Sequence, residues 1–265
     1  PTVYIAHHLV SEHGRIRAMQ TQTAASWSGV AQSTRPSEQQ QIDRAVLAVR
    51  ARATEFARLS VRAKAELLAP LARRLYDVGP GWVEAGCRAK GITPGTPLVG
   101  EEWVAGVGAS VRNTRLLHES IAAIAQRGRP PFGKSVKLRE DGRIEVEVFP
   151  PNTRDMLLFG GFTAKVLLQK DVSEGEARAR QASFYQKVNP EGRVSLILGA
   201  GNVASIPPGD VLTKMFVEGQ VCILKMNPVN EWVGPFLERA LAPLIERDYL
   251  RIVYGGGEIG AYLVN

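Results

Sequence analysis

The sequence predicts an α/β fold, with N-terminal helices plus an antiparallel hairpin, then a partial doubly wound parallel sheet. Three observations carry that prediction. Apolar residues recur at helical spacing in the first half, alternate with charged residues around Asp141-Gly142, and then gather into short apolar runs separated by helical stretches. The 265 residues suffice to bury a core of ordinary size, and a content of 45% hydrophobic and 22% charged residues is that of a globular chain.

Four segments follow in order. Residues 1–36 are rich in Ser, Thr and Gln and close at Pro36, which predicts an irregular arm. Residues 37–133 form a helical segment. Ser37 is the expected N-cap of its first helix, where Ile42, Ala45, Val46 and Val49 share a face. Ala65, Leu68, Leu71, Ala72 and Leu75 continue the pattern. A third helix starts near Pro80, carries Trp82 and Val83, and stops at Gly91. A fourth runs from about Glu102 to Gln126 on the apolar face of Val104, Val107, Val111, Leu117, Ile121 and Ile124.

Residues 134–192 hold the hairpin and a linker. Val136 and Leu138 alternate on one side of Asp141-Gly142, and Ile144, Val146 and Val148 on the other. Met156 to Phe159 is expected to add an extended segment, and Glu174 to Phe184 to be a polar helix or linker. From Arg193 to Asn265 the order is strand, helix, strand, helix, strand, helix. The strands are Val194 to Leu198, Val221 to Leu224 and Ile252 to Tyr254; the helices lie at Asp210 to Glu218, at Phe236 to Arg247 and from Glu258 onward. That alternation requires a parallel sheet with right-handed crossovers, and short apolar runs of this kind are buried on both faces.

Composition narrows the function classes. Lys+Arg exceeds Asp+Glu by 33 to 26, a net charge of +7, but the basic residues are scattered and no aromatic-basic interleaving marks a nucleic-acid surface. No apolar run reaches about 18 residues, and no secretory leader is visible, so the expected location is the cytoplasm. Two cysteines make no disulfide framework. Cys222 lies in the run Val221-Cys222-Ile223-Leu224 and Cys87 in a helix, so both read as packing thiols rather than nucleophiles. His7, His8 and His13 lack a cysteine or carboxylate at ligand spacing, and no metal site is expected.

Ligands of an open parallel sheet bind beyond the carboxyl ends of its strands. Three such ends carry distinctive groups. The first is Gly199-Ala200-Gly201-Asn202, with glycines that admit a ligand to the backbone and an amide donor. The second is Lys225, a cation just past a buried strand. The third, Gly255-Gly256-Gly257-Glu258-Ile259-Gly260, satisfies G-x-G-x-x-G between a strand and a helix, which sets a helix N-terminus against a phosphate. Their conjunction makes residues 193–265 an incomplete, Rossmann-like dinucleotide-binding domain. The acidic ribose ligand expected about 20 residues after the glycines has no place before Asn265, which leaves Lys225 or Glu231 to meet the ribose.

These residues resemble the aldehyde dehydrogenase family. In that family a Pro-Trp-Asn turn supplies an oxyanion-hole asparagine, and Asn202 falls at its place. A Lys-Pro-Ser-Glu segment holds the adenine ribose; Lys225 matches its lysine, whereas Met226-Asn227-Pro228 departs from the pattern. The family's G-x-x-x-x-G turn is matched by Gly255 and Gly260. The helices from Ser60 to Ile92, with Arg62, Leu68 and Trp82-Val83-Glu84-Ala85, are similar to its N-terminal helices, while the hairpin in Lys134 to Lys170 is longer than is usual there. The resemblance implies NAD or NADP as cofactor, an aldehyde as substrate, Asn202 at the oxyanion, and Gly199, Lys225, Glu231, Gly255, Gly257 and Gly260 around the cofactor. The family's Thr-Gly-Ser, Glu-Leu-Gly-Gly and nucleophilic cysteine segments are absent from this sequence. The expectation is therefore a chain inactive alone, with an apolar strand edge at Val194 to Leu198 that favours self-association or a complementary second half. The competing expectations are a non-catalytic assembly module that uses the N-terminal helices and residues 134–170, and a truncated gene product.

Overall fold

A computed structural model describes residues 35–265. The expected arm, save Arg35 and Pro36, lies outside the described residues, as do His7, His8 and His13.

The helices come first. They are α1 (Gln39–Arg58), α2 (Val61–Leu68), α3 (Leu71–Asp77), α4 (Gly79–Ala89), α5 (Leu98–Glu101) and α6 (Ala109–Arg127), with a π-helical segment Glu102–Gly108 joining the last two. The cap of α1 falls one residue later than expected. Glu38 is the N-cap, its N–H donating to the Gln41 side chain at 3.2 Å. Ser37 is drawn away by a strand: its N–H donates to the Tyr254 carbonyl at 3.1 Å, and its Oγ accepts from the Tyr254 N–H at 3.0 Å. Gly91, at φ +65°, ends the turn after α4 as its sequence position predicts.

The antiparallel unit consists of β1 (Ser135–Leu138), β2 (Ile144–Phe149), helix α7 (Thr153–Leu158) and β3 (Ala164–Leu167), ordered β1-β2-β3. Leu138 faces Ile144 across the Asp141-Gly142 turn, which closes the expected hairpin. The segment Met156 to Phe159 is not extended: its first residues finish α7, and the third strand begins only at Ala164. The correction has a local cause. Asn152 caps the helix by accepting from the Asp155 N–H at 2.9 Å, and the buried Asp155 carboxylate accepts from Arg112 of α6 at 3.0 Å. The apolar run alone suits either conformation; these polar anchors choose the helix. Helix α8 (Glu174–Arg180) follows, with a Ser173–Glu176 capping box, and a single 3-10 turn at Ser183–Gln186 leads to the second sheet.

That sheet is parallel, ordered β4-β5-β6 from β4 (Val194–Leu198), β5 (Val221–Lys225) and β6 (Leu250–Val253). Helix α9 (Ile206–Phe216) joins the first pair. It starts before the expected Asp210 because Pro207 preforms its first turn. The long helix expected over Phe236 to Arg247 is split into α10 (Gly234–Ala240) and α11 (Ala242–Ile245), since Pro243 cannot continue the first helix. Helix α12 (Gly257–Val264) closes the order. Every residue of β5 is buried, with α1 and α9 packed on it. Strand β4, expected to be fully buried, is not: among the described residues it pairs only with β5, and Val194 and Leu198 are 38% and 56% exposed. One apolar cluster runs from Ile42 of α1 through Phe216 to Ile259 of α12, so the N-terminal helix belongs to the same core as the parallel sheet.

Lys64 lies wholly inside this core. Its ammonium donates to the Ala57 and Leu59 carbonyls at 3.1 Å, where the C-terminus of α1 concentrates negative potential, and stands 5.0 Å from the Phe56 ring and 5.1 Å from that of Phe184. Desolvation still dominates and lowers its pKa to about 8. The unfolded chain therefore holds this proton more tightly than the native one, and stability rises as pH increases from about 8 towards the ordinary lysine value. We predict a gain of about 2 kcal/mol between pH 8 and pH 10 in urea unfolding, a slope that Lys64→Met removes.

Candidate functional site

The carboxyl ends of β4, β5 and β6 are level. Leu198 pairs with Lys225, and Lys225 with Val253, so whatever follows each strand emerges on one rim. Beyond them opens a cleft of about 540 Å³ lined by Leu198, Gly199, Lys225, Asn227 and the α12 residues Gly257, Gly260 and Ala261, with Val264 and Asn265 completing the wall. Four of the residues singled out from sequence, Gly199, Lys225, Gly257 and Gly260, thus share one wall.

Lys225 is 7% exposed, and its ammonium has no hydrogen bond or ion pair among the described residues. A lysine whose stem is buried keeps its ammonium where solvent or a ligand in the cleft can serve it. Its backbone is firmly fixed: the Lys225 carbonyl accepts from the Gly199 N–H at 2.8 Å, and the next N–H, that of Met226, donates to Val253 at 2.9 Å. The glycine run after β6 makes the turn into α12. Gly255 has φ +133°, and a Cβ there would stand 2.5 Å from the Ile259 side chain, so no larger residue fits. Gly255 therefore shapes the turn from behind and does not line the cleft.

Asn202 and Glu231 lie apart. Asn202 is exposed in the bend between β4 and α9, and Glu231 opens a 3-10 turn, Glu231–Val233, ahead of α10; neither lines the cleft. Two neighbouring asparagines that the sequence reading passed over do hold this rim. Asn227 borders the cleft, and its Oδ1 accepts from the Val229 N–H at 3.0 Å. Asn230, buried, donates to the Ala200 carbonyl at 3.1 Å and so ties the turn after β5 to the turn after β4. Their signal was the Asn-Pro-Val-Asn stretch, in which both asparagines sit in a turn directly after a buried strand. Glu258 was the other omission. Hydrogen bonds from its own N–H and that of Gly256 hold its carboxyl below the usual carboxylate range.

The thiols are placed for packing. Cys222 sits within β5, where burial pushes its pKa up to about 12, and Cys87 in α4 is raised by burial and by the nearby Glu102 carboxylate. Among the described residues no group of His, Cys, Asp and Glu is arranged to hold a metal ion, and no helix is long and apolar enough to cross a membrane. A thiol-disulfide reagent at neutral pH should titrate neither cysteine in the native chain and both in denaturant; prompt reaction of the folded protein would contradict their burial.

No protein-family model and no curated protein matches the chain. Solved structures do. It is similar to a bifunctional proline utilization A protein at 17% identity over 88% of this chain and 19% of that one, with a TM-score of 0.46. It is similar to PnpE in complex with nicotinamide adenine dinucleotide at 14% identity over 83% of this chain and 34% of that one, with a TM-score of 0.45. A third likeness is to a betaine aldehyde dehydrogenase from Staphylococcus aureus in complex with NAD+, at 11% identity over 83% and 34% of the two chains and a TM-score of 0.41. The chain spans about a fifth of the length of the first and about a third of the other two.

Proposed function

We propose that the cleft beyond β4, β5 and β6 binds a nicotinamide dinucleotide, NAD or NADP, as part of an aldehyde dehydrogenase-like oxidoreductase. The observation that carries this reading is Lys225, a largely buried side chain at the end of the central strand whose ammonium makes no hydrogen bond among the described residues, lining with Gly199, Gly257 and Gly260 a cleft of about 540 Å³. The residues present fit the group. Lys225 donates to ribose hydroxyls or a phosphate oxygen, Gly199, Gly257 and Gly260 let the ligand approach the backbone closely, and Asn227 adds an amide at the border. Gly255 keeps the turn that positions α12, whereas Glu231 stands outside the cleft and leaves the ribose to Lys225. When bound, the nicotinamide supplies the hydride acceptor; this chain's part is to hold and orient it. Asn202, exposed beside the same rim, is the candidate donor to an aldehyde-derived oxyanion.

In this reading the chain binds but does not turn over. Both of its cysteines are buried and hold their protons, so the thiolate that aldehyde oxidation by this chemistry requires must come from outside this sequence. Isothermal titration of the 265-residue chain with NAD, NADP and ADP tests the proposal. Saturable binding that weakens roughly tenfold in Lys225→Ala, with no aldehyde oxidation, is the expected result. Absence of binding by all three ligands, or turnover by the purified chain, would overturn it.

A second reading, self-association through the antiparallel unit, is favoured by one observation. Around α7 and β3, Leu157, Leu158 and Phe162 are 78%, 68% and 71% exposed, and β3 is an edge strand whose outer N–H and C=O groups are open to another chain. Sedimentation velocity should show association that grows with concentration and that Leu157→Asp reduces; a monomer at every concentration would dismiss this reading.

A further inference from the structure

The turn that opens α12 is already answered by a carboxylate of its own. The Gly256 N–H donates to Glu258 Oε1 at 2.9 Å. A Cβ built on Gly256 would stand 2.5 Å from Glu258 Oε2, and one on Gly255 would stand 3.7 Å from Oε1, so the carboxylate lies folded back over the glycines. The N–H groups of a helix's first turn, and the positive end of its dipole, are what a ligand phosphate would use. Here an acidic side chain from the second residue of the same eight-residue helix takes the Gly256 N–H at the cap and its own N–H first.

We propose that Glu258 is a resident competitor for phosphate: an incoming phosphate group reaches the α12 turn only by displacing its carboxylate. The proposal rests on the dinucleotide reading of the cleft and adds to it a division of labour. Gly257, the first residue of α12, belongs both to this turn and to the cleft wall, so a ligand seated against Lys225 meets the turn directly. Lys225 favours the ligand; Glu258 opposes its negative charge. The field of Lys225 also reaches Glu258 and helps keep it ionised. The cleft consequently discriminates by charge, accepting a nucleoside at full strength and a nucleotide at a discount set by the Glu258 carboxylate.

Glu258→Gln separates charge from shape, because the glutamine amide oxygen can still accept from Gly256 and cap the helix. Glu258→Ala removes both. ADP, inorganic pyrophosphate and adenosine, titrated calorimetrically against the full chain, are the probes, and thermal melting checks that each variant is folded. In Glu258→Gln, affinity for ADP and pyrophosphate should rise about twofold to fivefold, the scale of an exposed carboxylate's interaction with a helix N-terminus, while adenosine affinity stays unchanged. Lys225→Ala should weaken ADP in either background. If wild type and Glu258→Gln bind ADP equally, Glu258 is a helix cap and the competitor proposal fails while the dinucleotide reading stands. If neither Glu258 variant nor wild type binds ADP or adenosine, the reading and the inference fall together.

Discussion

The rest of the structure depends on the burial of β5. A parallel strand covered on both faces has to be apolar along its length, and Val221-Cys222-Ile223-Leu224 meets that requirement until the chain reaches Lys225. The neighbouring strands are held to it by ladder bonds that continue past their ends, from Gly199 to Lys225 and from Met226 to Val253. The start of the rim is therefore tied to the core beneath it. The covering layer is fixed just as firmly. Arg74 of α3 donates to the Ala240 and Arg239 carbonyls at the C-terminus of α10, at 3.0 and 2.6 Å, joining the N-terminal helices to the connection between β5 and β6. A change in β5 would be felt in all three of its surroundings: the core, the rim and the helices.

Two buried lysines show how scaffold and site differ. Lys64 has lost its water and regained two carbonyls and three aromatic faces, and its visible anomaly is a proton held less tightly than usual. Lys225 is almost as deeply placed and has regained no hydrogen bond from the described residues. The same side chain is thus structural in one place and receptive in the other, and burial alone does not separate them. The partner inventory does.

Much of this was legible because it depends on periodicity. The shift from helical spacing to alternation to short apolar runs foretold the order of helices, hairpin and parallel sheet, and the rule that such sheets bind at their strand ends put Gly199, Lys225, Gly257 and Gly260 on one rim. What escaped depends on short-range polar choices. Met156 to Phe159 is as apolar as a strand, but Asn152 and Asp155 make it a helix; Pro243 breaks a pattern that hydrophobicity alone would continue; Ser37 leaves its helix to join Tyr254. Glu231 fell outside the cleft because the chain coils into a 3-10 turn after Asn230, a rotation that spacing does not encode. Glu258 was hidden inside a glycine motif, where attention goes to the glycines and not to the acid between them.

The anchor that fixes α7 has a wider consequence. Asp155 is 1% exposed, paired with Arg112 at 3.0 Å and 3.7 Å from Arg115, and the Arg112 guanidinium lies against the rings of Phe149 and Phe159 at 5.4 and 5.7 Å. The pairs along α2, α3 and α8, such as Arg62–Glu66, face water and fade as dissolved ions gather around them. Counterions have almost no access to the Asp155 carboxylate. The attachment of the antiparallel sheet to α6 is therefore screened much less by dissolved salt than the exposed pairs are, and brine that weakens the helical surface pairs largely spares this joint.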